Sequence, residues 1–180
     1  VSPNNSEMVQ IINPTNLDIN LNEDGPSGYY LTDGASPHPT EPEFYYNLPN
    51  IQEMGNAWSL QPYDFFMEFP ENTIIESGDT LTIAIHDEES FSAYYGFEAD
   101  ISLNTLFPNM YYDMAVENGV GFSIIEDQGE SLVLFKWNGL SNTVVDVDYF
   151  LWGTDYYAVD KSSISFSGIS NEQLDYCFFD

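Results

Sequence analysis

A chain of 180 residues with 43% hydrophobic and 16% aromatic content can bury one sizeable core, which excludes a disordered acidic tail and leads us to expect a single domain over residues 1–180. Against 30 Asp and Glu stand two basic side chains, Lys136 and Lys161, for a formal net charge of -28 at pH 7. Nucleic acid and anionic membrane are bound by Lys and Arg that displace counterions, so both are set aside as partners. The acids are scattered rather than grouped at ligand spacings, which favours a solubility role in saline surroundings over binding of divalent cations. The single cysteine, Cys177, permits no internal disulfide. The chain opens at Val1 with neither Met nor a signal peptide, and we expect a fragment of a larger exported protein.

In chain order, short alternating runs are separated by Gly, Pro, Asn and Asp clusters, the pattern of an all-β sandwich. A first strand is expected at 8–13, ended by Pro14. At 18–21 the apolar Ile19 and Leu21 alternate with Asp18 and Asn20, and a strand at 28–32 follows the turn Asp24-Gly25-Pro26. Residues 36–62, rich in proline, read as a long loop. From 81 onward Leu81, Ile83 and Ile85 occupy one face, with Thr80, Thr82, Ala84 and His86 on the other. One short helix is expected at 89–95, with Ser90 as its cap and Gly96 as its stop. Residues 104–121 form a second long loop. Strands are expected at 122–125, 132–137 and 144–152, the last two joined by a tight turn at Asn138-Gly139, and a short run at 164–166 closes the sheet. The alternation assigns Ile83, Ile85, Val133, Phe135, Val147 and Leu151 to the core.

Several of these runs carry a family likeness. Val9-Gln10-Ile11-Ile12-Asn13-Pro14-Thr15 is followed by the short strand at 18–21 and then by Gly28-Tyr29-Tyr30-Leu31-Thr32-Asp33. Next come Phe69-Pro70, Ile75, Gly78 and the run 81–84, and finally Asp148-Tyr149-Phe150-Leu151-Trp152-Gly153 and Asp160-Lys161. In order and spacing this set resembles the bacterial lamin-tail domain over roughly residues 7–161. The insertions at 36–62 and 104–121 are longer than a minimal member needs. The resemblance implies an immunoglobulin-like β-sandwich with long loops, found in exported proteins beside hydrolase or adhesion domains. It implies an interaction or anchoring role and offers no catalytic residues to carry over. Read as residues alone, Asn13 tolerates turn geometry, Pro14 ends ladder pairing, and Trp152-Gly153 is a core ring followed by a turn.

Chemistry is sparse. His38 lies between prolines, and His86, next to Asp87, Glu88 and Glu89, reads as a surface imidazole attracted to acidic neighbours rather than a catalytic base. Cys177 has no cationic neighbour to make it a thiolate nucleophile. Phosphoryl transfer lacks its cationic clamp. Glycoside hydrolysis needs two facing carboxylates, and Glu98-Ala99-Asp100-Ile101-Ser102 approaches a three-carboxylate motif without its third acid. For calcium, Asp18-Ile19-Asn20-Leu21-Asn22 fails as an EF-hand because Glu23 stands where the loop needs Gly. Asp146 and Asp148, read as sharing one strand face, with Asp155 across a turn, form the candidate calcium set, although solvated carboxylates are the commoner case.

Five tyrosine doublets are more distinctive. Neighbouring residues of a strand point to opposite faces, so Tyr29, Tyr45, Tyr94, Tyr111 and Tyr156 are candidates for outward rings that stack on a sugar or anchor a protein. Burial of both rings under long loops is the competing reading. The function expected is a non-catalytic, secreted or cell-surface interaction module that binds a protein or a cell-surface glycan, with no cofactor except calcium at a loop tip. The alternative is a small glycan-active β-sandwich enzyme using paired carboxylates.

Overall fold

Two stretches place bulky apolar residues at consecutive positions, Phe65-Phe66-Met67 and Leu132-Val133-Leu134-Phe135, and strands of that composition must be covered on both faces. A computed structural model of the chain describes residues 6–24, 27–33, 45–50, 65–105, 110–112, 124–154 and 158–159. It is an all-β, sandwich-like fold with one short α-helix among the described residues. The strands are β1 (Met8–Ile12), β2 (Ile19–Asn20), β3 (Asn22–Asp24), β4 (Ser27–Thr32), β5 (Phe65–Glu68), β6 (Ile74–Ile75) and β7 (Thr80–Ala84). After helix α1 (Glu88–Tyr95) come β8 (Ile101–Ser102), β9 (Met110–Tyr112), β10 (Glu130–Asn138) and β11 (Val145–Trp152). No helix among the described residues is long and apolar enough to cross a membrane.

The largest sheet runs β11-β10-β4-β5-β9, with β3 also paired to β4. A second sheet runs β1-β7-β8, and β2 pairs with β6 in a third. All neighbours are antiparallel except β7 and β8, which α1 joins as a parallel pair. One face of the large sheet carries Leu31, Phe65 and Met67, which pack with Leu81 and Ile83 of β7, Ile101 of β8 and Ile75 of β6. This is the core between the layers. The opposite face carries Tyr30, Phe66, Val133 and Phe135, and it too is buried. Its cover comes from the first long loop. Where a loop without regular structure is expected, a 3-10 turn at Tyr45–Asn50 lays Tyr45 and Leu48 on that face. Phe135 sits at its centre, its ring 5.2 Å from Tyr30, 4.8 Å from Tyr45 and 5.6 Å from Phe66.

Of the expected core residues, Ile83, Ile85, Val133, Phe135 and Leu151 are buried, whereas Val147 is 47% exposed. The reason is a bulge. Leu134 lies opposite Asp148 while Phe135 lies opposite Asp146, so Val147 is an extra residue and the alternation of β11 changes phase there. Before the bulge Val144 faces inward, and after it Leu151 does.

Other boundaries move for identifiable reasons. The helix begins one residue earlier than expected, and its cap is Asp87, whose carboxylate accepts from Ser90 N at 2.8 Å. Burial draws the Asp87 carboxyl upward, but the bonds from Ser90 outweigh that and hold it below its ordinary value. Residues 124–125 form a bend, not a strand, because their N–H groups are taken by the Glu7 carboxylate at 2.9 and 3.2 Å. Strand β9 falls within the second expected loop. The hairpin of β10 and β11 closes at Lys136 and Val145, so Asn138-Gly139 opens a longer loop instead of a two-residue turn. The expected strand at 164–166 lies outside the described residues.

Candidate functional site

The likeness motifs resolve into structural devices. Asn13 is buried, and its Nδ2 donates to the carbonyls of Leu17, Ile75 and Glu76 at 2.8, 3.0 and 3.1 Å. Its Oδ1 accepts from Thr15 N and Thr15 Oγ1 at 3.0 and 2.7 Å. One carboxamide thus ties the bend after β1 to the turn before β7. Trp152 is half-buried rather than a core ring, with Nε1 donating to the Glu126 carbonyl at 2.8 Å. Gly153, at φ 87°, passes so near the 128–129 backbone that a Cβ would meet Gly129 Cα at 2.5 Å.

The candidate calcium set does not assemble as read. The bulge puts Asp146 and Asp148 on opposite faces of β11, since they oppose consecutive residues of β10. Asp146 accepts from the Tyr45 hydroxyl at 2.8 Å and Asp148 from Tyr149 N at 2.9 Å. Asp155 lies outside the described residues, among which no group of three or more metal-ligating side chains occurs.

The tyrosines divide. Tyr45 is buried, not outward, and burial together with the neighbouring Asp146 carboxylate drives its hydroxyl pKa far above the ordinary value. Tyr94 is 52% exposed at the end of α1, stacked edge-on against Tyr95. Tyr29 is half-buried, its partner Tyr30 lying on the other face of β4 in the second core cluster. Tyr111 stands on β9 opposite Phe66, and Tyr156 lies outside the described residues.

The candidate acid and base groups are engaged in structure. His86 is buried, not on the surface, with 5% exposure, because its acidic neighbour is Glu7 from the segment before β1, Nε2 to Oε2 3.6 Å. Ser102 donates to the backbone carbonyl of His86 at 2.8 Å. Asp100 accepts from Thr82 N at 2.7 Å and ties β8 to β7. His38 and Cys177 lie outside the described residues.

What remains is a groove of about 610 Å³ at one end of the sandwich. Asp18, Ile19 and Asn20 form one wall, Gly28 and Tyr29 of β4 with Lys136, Trp137 and Asn138 of β10 form the floor, and Ser141, Thr143 and Val145 form the other wall. Gly28 is required because β4 passes close to the Leu21 carbonyl, where a Cβ would stand at 3.1 Å. On the floor Lys136 lies opposite Tyr29 on one face of the sheet, its Nζ 5.9 Å from the centre of the Tyr29 ring, whereas Trp137, opposite Gly28, turns its ring to the other face and donates Nε1 to the Ser141 carbonyl at 2.7 Å. Asn138 Oδ1 accepts from Leu140 N and Ser141 N at 3.0 and 2.7 Å, shaping the loop that presents Leu140 at 93% exposure.

Apart from Tyr29, none of these residues is among the expected binding residues. Two signals in the sequence point to them, a lysine isolated among 30 acids and an Asn-Gly loop beside a tryptophan. Comparison with protein-family models, curated proteins and solved structures finds no match to this chain.

Proposed function

We propose that this chain is a non-catalytic interaction module of the lamin-tail kind, acting outside the cell and engaging a protein or a cell-surface glycan through the groove at the end of the sandwich. The observation that carries this reading is the groove itself, a concavity whose floor sets the Tyr29 ring beside Lys136 among polar side chains. Among the described residues Asp18 is the one carboxylate lining the groove, and it accepts from Ser77 N at 2.9 Å, which supports binding over paired-carboxylate hydrolysis. The strand order β11-β10-β4-β5, with β1 beside β7 in the other layer, matches the G-F-C-C′ sheet and its partner in an immunoglobulin-like sandwich and supports the family reading. The acid coat suits export into saline surroundings, where a charge of -28 is screened.

The test pairs two assays on the full chain. Arrays of glycans and extracellular proteins are probed with wild type and with Tyr29→Ala/Lys136→Ala, and a polysaccharide panel is assayed for new reducing ends. Binding by wild type that the double variant loses, without hydrolysis, is the expected result. Hydrolysis abolished by replacing a single acid would overturn the proposal.

A further inference from the structure

We infer that the outer edge of β1 pairs with the same strand of a second copy of the chain, antiparallel and centred on Gln10. The hydrogen-bonding parity of the strand leaves that edge open. Ile85 N donates to the Glu7 carbonyl at 3.0 Å and Asn13 N to the Asp79 carbonyl at 2.9 Å, so the odd-numbered residues from Glu7 to Asn13 turn their backbone groups to β7. Those of Met8, Gln10 and Ile12 point the other way. There β1 is the end of its sheet, and none of these groups has a partner among the described residues.

Edge strands are kept apart by charge, proline, a bulge or brevity. In β1 none of these acts: it runs for five residues in unbroken register with β7, and no charged side chain occurs from Met8 to Leu17 in a chain with 30 acids. Glu7, the acid just before it, is buried against His86. By contrast β11, at the end of the large sheet among the described residues, carries both a bulge and the carboxylates of Asp146 and Asp148. The edge is also incompletely covered. Val9 and Ile11 pack against the core yet are only half-buried, and Ile12 on the other face is 63% exposed.

The run Met8-Val9-Gln10-Ile11-Ile12 is complementary to itself. A two-fold axis at Gln10 sets Met8 opposite the partner's Ile12 and Val9 opposite the partner's Ile11, so every cross-strand pair is apolar except the central pair of carboxamides. A second copy also brings this strand already extended along β7, whereas a free peptide must be ordered as it binds, at an entropic cost for each residue. The rest of the surface opposes the union. Two bodies of -28 repel, so the pairing belongs to saline conditions, where only near neighbours still interact.

A ladder of five residues a side falls below the roughly 1,200 Å² of a standard interface, so the dimer is weak and is sought up to millimolar chain. Sedimentation equilibrium of the full chain in 1 M sodium chloride, where the Debye length is about 3 Å, should show a reversible dimer that dissociates at 0.01 M, where that length is about 30 Å. In the same samples the amides of Met8, Gln10 and Ile12 should gain protection from hydrogen exchange as the chain is concentrated, while those of Val9 and Ile11, already turned to β7, stay as they are. Gln10 is exposed, and its Nε2 donates to Thr82 Oγ1 at 3.1 Å, a contact that Glu or Lys can also make. Gln10→Glu and Gln10→Lys each set like charges across the axis and should weaken the dimer about fivefold or more with melting temperatures near wild type, and mixing the two in equal amounts should restore it. Should a variant fail to fold, the exchange pattern of wild type decides alone. A chain that stays monomeric at millimolar concentration in molar salt, a dimer that leaves the Met8, Gln10 and Ile12 amides unprotected, or variants that associate like wild type, overturns the inference. So does protection of those amides that is independent of concentration, which places a segment of the same chain along the edge, or that appears only with a partner found on the arrays, which assigns the edge to that partner.

Discussion

Replacing Asn13 by alanine removes five hydrogen bonds at once, three given to carbonyls and two received from Thr15. The Ile75 carbonyl is the buried one, and leaving such a group unsatisfied costs about 1–3 kcal/mol. The others are partly wet, so water recovers most of their worth, and together they add about 1 kcal/mol. A loss of about 3 kcal/mol follows, which for a chain of this length lowers the melting temperature by about 6–12 °C. Asn13→Asp separates the hub from a general size effect. It keeps the acceptor for Thr15 yet directs a carboxylate oxygen at three carbonyls, so it should melt below Asn13→Ala despite being nearly isosteric. Thermal unfolding followed by circular dichroism in one fixed salt measures both. An aspartate variant as stable as wild type, or more stable than the alanine variant, would refute the hub.

Phe135→Ala should cost about 3–5 kcal/mol in urea unfolding, because it empties the centre of the second cluster, whereas Val147→Ser at the exposed bulge should change stability by no more than about 0.5 kcal/mol. The melting temperature should climb between 0.01 and 1 M sodium chloride as the Debye length falls from about 30 to about 3 Å, and indifference to salt would contradict the crowding of 30 acids. Tyr45 has its pKa raised in the fold by burial and then by Asp146. Its contribution is therefore complete below the unfolded value of about 10 and is lost as pH rises beyond it, so Tyr45→Phe should flatten the alkaline fall in stability. Asp87 has the opposite sign: its lowered pKa stabilises above the ordinary carboxyl range and is lost on acidification, a loss that Asp87→Asn should blunt.

The all-β class was legible because alternation at 81–85 and 132–137 survives in β7 and β10. The phase change in β11 was not. A bulge inserts a residue without any composition signal, and it moved Val147 out of the core and separated Asp146 from Asp148. The two-sided burial of the large sheet was written in the consecutive apolar residues of β5 and β10, but what covers the second face is Tyr45 and Leu48 from a proline-rich loop, a long-range contact that local pattern does not carry. The burial of His86 has the same origin, since its partner Glu7 is distant in sequence. Tyr29 was legible as a candidate through alternation. Lys136, Trp137 and Asn138 reach the groove only because β10 pairs with β4 in a particular register.

Amide chemical-shift mapping during titration with the partner found on the arrays, sugar or protein, shows where that partner sits. The groove predicts saturable shifts at Tyr29, Lys136, Asn138 and Ser141, with the amides of β1 and α1 unmoved. Shifts centred on Tyr94 and Phe97 at the end of α1, or on Glu98 and Asp100, with the groove signals unchanged, would contradict it.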